Sequence, residues 1–272
     1  MKPAGLLSVL FFTALAQEPT LPPSLETLFT NGVAAEKAGK LNEAEKFYLE
    51  VLERGGKVPF VYNNLGTVYQ QRGEYAKAIT QFREAVRRQP GYYTPRLLIG
   101  SSLIALGEPS KAVDELQKAL QIKPGDSEAR LLLARAYQRS GNPLAALDQV
   151  QILRKAAPEN PEYVYEFGIA YQNVAIWCFG RMRDKKPASA RVQQLLGESY
   201  LIQGKTALAI QAYTAAVQAD QTMAQSHLAL AHIHARTGRI EDALKEIEAE
   251  LIVAPGSAAG LSLKRRLESP KQ

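Results

Sequence analysis

Apolar residues along this chain fall in stripes of helical spacing, and the stripes come in pairs. Between Pro59 and Pro90, the residues Tyr62, Leu65, Gly66 and Tyr69 share one helical face. Gly73 interrupts them, and Ala78, Phe82 and Ala85 form a second stripe that Pro90 closes. Apolar positions at i, i+3, i+4 and i+7 mark amphipathic helices. A glycine between two such stripes can adopt the left-handed conformation that ends the first helix. A proline after the second holds the residue before it away from helix. The pattern therefore predicts a helical hairpin. Gly141-Asn142-Pro143 makes the same turn, with Asn142 placed to cap the second helix and Pro143 as its first residue.

The pattern recurs every 34 residues, in blocks that begin at Leu25, Pro59, Tyr93, Ser127, Pro161, Ala190 and Ala224. The eighth slot holds a small residue: Gly32, Gly66, Gly100, Ala134, Gly168, Gly197, Ala231. The twentieth is alanine in six blocks: Ala44, Ala78, Ala112, Ala146, Ala209 and Ala243. The fifteenth is glycine in the same six: Gly39, Gly73, Gly107, Gly141, Gly204 and Gly238. One hairpin cannot bury both of its stripes, so neighbours must stack on it, and a fixed period of this length predicts such a stack rather than one globular core. Gly66 and Ala78 lack bulk where two helices would cross, so a large residue at either site should overpack the crossing.

The block from Pro161 breaks step. Val164, Phe167, Gly168 and Tyr171 fit the first helix, but the turn glycine is missing. Counting back from Ala190, five residues are absent, all from the turn. Nothing between Tyr171 and Ala175 stops a helix, and Gly180 alone is a weak breaker. The expectation is one nearly continuous helix from about Glu162 to about Lys185; the alternative is a tight hairpin with a shortened first helix. Trp177, Cys178 and Phe179 are expected to pack in the core in compensation, with a specialised binding or dimerisation element as the other reading.

The series Tyr62, Leu65-Gly66, Tyr69, Ala78, Phe82, Ala85, Pro90 resembles the tetratricopeptide repeat. Ile99-Gly100, Leu103, Ala112, Leu116, Ala119 and Pro124 repeat it, as do Leu133-Ala134, Tyr137, Ala146, Val150 and Pro158. The block from Ala190 follows with Leu196-Gly197, Tyr200, Ala209, Tyr213 and Ala216. The resemblance implies an all-α fold: a right-handed α-α superhelical solenoid of seven such hairpins plus a C-terminal capping helix. Its parts would be an array over 25–257 (25–58, 59–92, 93–126, 127–160, a shortened 161–189, 190–223, 224–257) and a capping helix and tail over 258–272. It also implies that the first helices line a concave groove for a protein or peptide partner, with slots two, five, nine, twelve and thirteen facing it. Those slots hold Phe60, Asn63, Thr67, Gln70, Gln71, Leu97, Ser101, Arg135, Gln138, Arg139, Tyr165, Gln172 and Asn173. Amides there could bond an extended peptide backbone, and the arginines its carboxylates; the other reading is that Arg135, Arg139 and the amides merely solvate a concave surface. The lysine–asparagine clamp that some family members use for a terminal carboxylate is not supported, because Phe29 and Val33 stand in its slots.

The first residues read as an address. Lys2 precedes an apolar run, Gly5 to Leu15, and Ala14-Leu15-Ala16 has the small-x-small form of a cleavage site. Residues 1–16 are thus expected to be a signal peptide, too short to span a bilayer. Residues 17–24, with Pro19, Pro22 and Pro23, are expected to be an extended spacer. The expectation is export to a periplasm or the exterior, with no stable membrane insertion once the signal is removed. The net charge of +6, with 46% hydrophobic and 22% charged residues, suits a folded chain. It lacks the clustered basic face of a nucleic-acid binder, so no nucleic-acid partner is expected. Arg181, Arg183, Lys185 and Lys186, and likewise Lys264, Arg265 and Arg266, read as solvated faces, the latter facing nearby acids such as Glu248. With one cysteine no intrachain disulfide forms.

No catalytic, metal-binding or cofactor-binding residue is expected. His227, His232 and His234 have no carboxylate or cysteine at ligand spacing, and no phosphate loop, nucleophile elbow or dinucleotide motif occurs. Cys178, mid-helix among apolar residues, reads as inert. The leading expectation is a non-enzymatic, exported scaffold or adaptor. A structural self-assembly module is the alternative, and an enzyme built on His227 or His234 a third reading.

Overall fold

The computed structural model describes residues 20–269, which form fourteen α-helices; no strand occurs among the described residues. The signal segment 1–16 and residues 17–19 of the spacer lie outside the described residues. The chain divides into two compact units that meet in sequence at Tyr171 and Gln172.

The first unit contains four antiparallel pairs: α1 (Pro23–Lys37) with α2 (Leu41–Glu53), α3 (Pro59–Gln71) with α4 (Tyr75–Arg88), α5 (Tyr93–Ala105) with α6 (Pro109–Ile122), and α7 (Ser127–Arg139) with α8 (Pro143–Ala156). It ends in the first part of α9 (Pro161–Lys185). The second unit holds the rest of α9, then α10 (Ala190–Ile202) with α11 (Thr206–Ala219), α12 (Ala224–Arg236) with α13 (Ile240–Val253), and α14 (Ala258–Glu268). Six repeat blocks are hairpins, and in the seventh the two halves are fused into α9. Among the described residues, no helix is long and apolar enough to cross a membrane.

The turn chemistry follows the glycines. All six slot-fifteen glycines have φ between 72 and 78°, where a Cβ would be strained. Asn142 caps α8 by accepting from the Ala145 N–H at 3.3 Å, and Asp126 caps α7 through the Ala129 N–H at 2.9 Å. Glycine at slot eight is a packing requirement instead. A Cβ on Gly66 would stand 2.6 Å from the Phe82 ring, one on Gly32 2.6 Å from Tyr48, one on Gly100 2.5 Å from Leu116 and one on Gly197 2.8 Å from Tyr213. In each case the second helix presses a large side chain into the notch. Tyr48, Phe82 and Leu116 are fully buried, and the first unit's core runs through them from Leu21 to Ala136. Separate clusters hold the second unit together. Tyr213, Leu230 and Ile233 form one, and Leu263 of α14 closes another against Ala231 and Ile247.

Two expectations need correction. Helix α1 starts at Pro23, so the spacer is not extended through residue 24. Pro23 has the backbone angle a first turn requires, and buried Leu21 and Leu25 draw this start into the core. Trp177 and Phe179 are only half-buried and Cys178 is exposed. They do not pack into a core, because α9 runs on without the turn that would have made this stretch the second helix of a hairpin. Only Glu166 and Ala170 of α9 are buried, and the Trp177 ring takes the Arg181 guanidinium at 4.9 Å. The basic cluster of the cap helix is a solvated face, as expected: Lys264 lies 3.9 Å from Glu248 and 3.8 Å from Glu268, and Arg265 and Arg266 are exposed.

Candidate binding face

The 34-residue period sets equivalent slots of successive first helices side by side, and the late slots of each helix reach across to the next. Gln70 donates from Nε2 to the Ser101 and Ser102 hydroxyls at 2.9 and 3.0 Å, tying α3 to α5. Gln71 donates to Glu36 at 3.4 Å, tying α3 to α1. Arg139 donates to the Ile104 carbonyl at 3.2 Å, tying α7 to α5. Arg135 donates to Glu166 at 2.7 and 2.9 Å and to Glu162 at 3.1 Å, tying α7 to α9.

These bridges reshape the expected groove. Arg135 is not a free receptor for carboxylates, because two of this chain's own carboxylates hold it. Glu166 is buried and needs that cation. Asn63 and Leu97 lie in the packing between hairpins at 8% and 7% exposure and offer no surface to a partner. Phe60 is half-buried edge-on against Phe29, with ring centres 5.0 Å apart, and Thr67 turns its hydroxyl back to the Asn63 carbonyl at 3.1 Å. Gln172 is exposed and Asn173 half-buried on the second unit's part of α9.

What remains available converges on one place. A hollow of about 280 Å³ is lined by Ile104, Arg135, Gln138, Arg139, Tyr165, Glu166 and Ile169, all within the first unit. Arg139 is exposed and uses one nitrogen on Ile104. The Gln138 Nε2 is shielded from solvent and has no hydrogen-bond partner among the described residues. Tyr165 is 67% exposed. The remaining Arg139 donors beside apolar Ile104 and Ile169 suit a segment that brings a carboxylate and some apolar surface. Sequence reasoning missed Glu162 and Glu166 as the arginine's partners. The signal available was the interval of 31 residues from Arg135 to Glu166, close to one repeat.

The buried tyrosines of the first hairpins are structural. Burial, then donation of the phenol to Glu45 at 2.8 Å, pushes the Tyr69 hydroxyl up to about 12. Burial and a 2.8 Å bond to Glu36 raise Tyr48 as well. Arg72 pairs with Glu45 of α2 and with Glu74, the residue that precedes α4. In the second unit His227 meets Glu246 at 2.7 Å, a carboxylate the helical spacing did not reveal. Among the described residues no group of three histidine, cysteine or acidic side chains could hold a metal.

Models of the tetratricopeptide repeat match residues 23–91; 63–127 and 175–224; and 103–165 and 200–267. No curated protein matches the sequence. A tetratricopeptide repeat protein from Parabacteroides merdae is similar over 91% of this chain and 100% of its own, with a TM-score of 0.55 and 16% identity. The C-terminal part of a repeat protein of this kind from Cytophaga hutchinsonii is similar over 86% and 98%, with a TM-score of 0.50 and 15% identity. At such identities the likeness is one of fold. Between them the family models run from the first helix to the cap, and this chain belongs to the tetratricopeptide repeat family.

Proposed function

We propose that this protein is a non-enzymatic, exported scaffold that holds a protein or peptide segment against the inner ends of α5, α7 and α9. The family's fold is a protein-interaction scaffold, and the hollow at Arg139 supports this place for the partner. The carrying observation is the exposed Arg139 guanidinium, which spends one nitrogen on the Ile104 carbonyl, in a hollow that the exposed Tyr165 also lines. The segment that fits is extended, places a carboxylate on Arg139, and rests an apolar side chain on Tyr165. Export rests on the order of charged, apolar and small residues at the start of the sequence.

A peptide library screened against the purified chain tests the binding reading. Selected peptides should carry an acidic group and should bind Arg139→Glu roughly tenfold or more weakly, as loss of a charge-assisted bond predicts. Equal affinity for both forms would remove this site. N-terminal sequencing of the protein recovered from its native cells tests export: the chain should begin at Gln17, and a retained Met1 would end that part of the proposal.

A further inference from the structure

The interval of 35 residues that sets Arg139 beside Ile104 recurs inside the second unit, from Leu201 of α10 to Arg236 at the end of α12. Leu201 and Arg236 line a hollow of about 100 Å³ with Thr206, Ile233 and Thr237, all of that unit. Its floor is apolar and fixed: Ile233 is 2% exposed in the cluster with Tyr213 and Leu230, and Leu201 packs against that cluster. Its polar groups are unevenly engaged. The Thr237 hydroxyl donates to the Ile233 and His234 carbonyls at 3.0 and 3.1 Å, and it accepts from Arg239 Nε at 3.3 Å. Arg236 is exposed, and neither it nor the Thr206 hydroxyl has a hydrogen bond or ion pair among the described residues. No acid lines the hollow. The acids that follow in sequence, Glu241 and Asp242, belong to the first turn of α13, and neither forms an ion pair among the described residues.

We propose that this hollow is a second receptor, which takes one acidic side chain of a protein partner. The carboxylate meets the Arg236 guanidinium, whose paired N–H donors match its two oxygens, and the Thr206 hydroxyl donates to one of them. The methylene stem of the same side chain rests on Leu201 and Ile233. Charge selects the occupant: the hollow has a cation in its lining, Arg239 bonded to Thr237 beside it, and no acid of its own. Binding also breaks nothing. Arg135 would have to abandon the buried Glu166 to receive a foreign carboxylate, whereas Arg236 gives up no partner. Size narrows the choice further. At about 100 Å³, against about 280 Å³ at Arg139, the hollow admits a short side chain and not a length of backbone. The proposal rests on the scaffold reading for its class of partner, but it uses no residue of the hollow at Arg139. Each unit then carries its own acid receptor, and one chain binds two acidic segments.

Methyl NMR of the full chain, titrated with the peptide acetyl-Ala-Leu-Glu-Leu-Ala-amide to millimolar concentration, tests this. The methyls of Leu201 and Ile233 should shift and saturate. Arg236→Gln alters an exposed side chain that holds no other element in place, so it should keep the fold and weaken the titration at Ile233 roughly tenfold. The same peptide with glutamine in place of glutamate should lose a similar factor on the wild type. Thr206→Val should weaken binding less than Arg236→Gln does. No shift at Ile233, or equal affinity in Arg236→Gln or for the glutamine peptide, overturns the proposal. Arg139→Glu separates the two sites: it should abolish shifts at Ile104 and Ile169 and leave those at Ile233 unchanged. Saturation at Ile233 with none at Ile169 would remove the first site and keep the second, and loss at Ile233 in Arg139→Glu would end the claim of an independent receptor.

Discussion

Gly66→Ala and Gly168→Ala are the same substitution in the same slot of two repeats, yet the packing around them predicts opposite signs. At Gly66 the new methyl would stand 2.6, 2.7 and 3.1 Å from three carbons of the Phe82 ring, against a comfortable separation of about 3.5–4.0 Å. Phe82 is fully buried, so it must retreat into a filled core, at a cost of roughly 1–3 kcal/mol. Alanine regains about 1 kcal/mol over glycine in a helix interior, which leaves Gly66→Ala about 1 kcal/mol less stable. At Gly168 only the helical gain applies, and stability should rise by about 1 kcal/mol. Subtracting one change from the other cancels the propensity and leaves the clash alone, about 1–3 kcal/mol. Urea titrations followed by circular dichroism, with hydrogen exchange to assign each effect to α3 or α9, would measure it. Equal effects at the two sites would refute the argument that the second helix is what makes this slot glycine.

Three further outcomes follow from particular contacts. Arg135→Ala should cost roughly 1–3 kcal/mol by leaving the buried Glu166 carboxylate without its cation, and adding Glu166→Gln should recover part of it in a double-mutant cycle; no coupling would sink the bridge. Asp126→Ala should cost about 1 kcal/mol of thermal stability through the lost cap on α7, whereas Ser189→Ala, whose side chain caps nothing, should cost little. Tyr48 and Tyr69 have folded pKa values above the unfolded value of about 10, so their contribution is complete below that pH and is lost as pH climbs toward about 12. The urea midpoint should fall over this window in step with tyrosinate absorbance, less so in Tyr69→Phe, and a flat midpoint would contradict the phenol–carboxylate contacts.

The hairpins were legible because their determinants are local and repeated. Gly73 has the positive φ its turn requires, and Gly66 meets Phe82 sixteen residues on, within one block. The uninterrupted α9 was legible for the same reason: the turn residues are simply missing. Burial was not. Trp177 and Cys178 have the composition of core residues, but whether they are covered depends on a second helix that the fusion removed. The groove shows the same limit. Slot position places Gln70 and Arg139 on the inner side, but their partners, Ser101 and the Ile104 carbonyl, lie about one repeat away. His227 finds Glu246 across a hairpin whose crossing, not its sequence, brings them together.

The latter half of α9 has a consequence for durability. From Tyr171 to Lys185 no side chain is buried, so the backbone bonds of that stretch are sheltered by little besides the helix itself. Such a segment opens at far lower free energy than helices pinned by a core. It also carries Arg181, Arg183 and Lys185 in the open, all cleavage points for trypsin. A lone chain should thus be nicked there first, into two fragments that each keep their own apolar clusters, and anything that lies along the helix acts as its sheath.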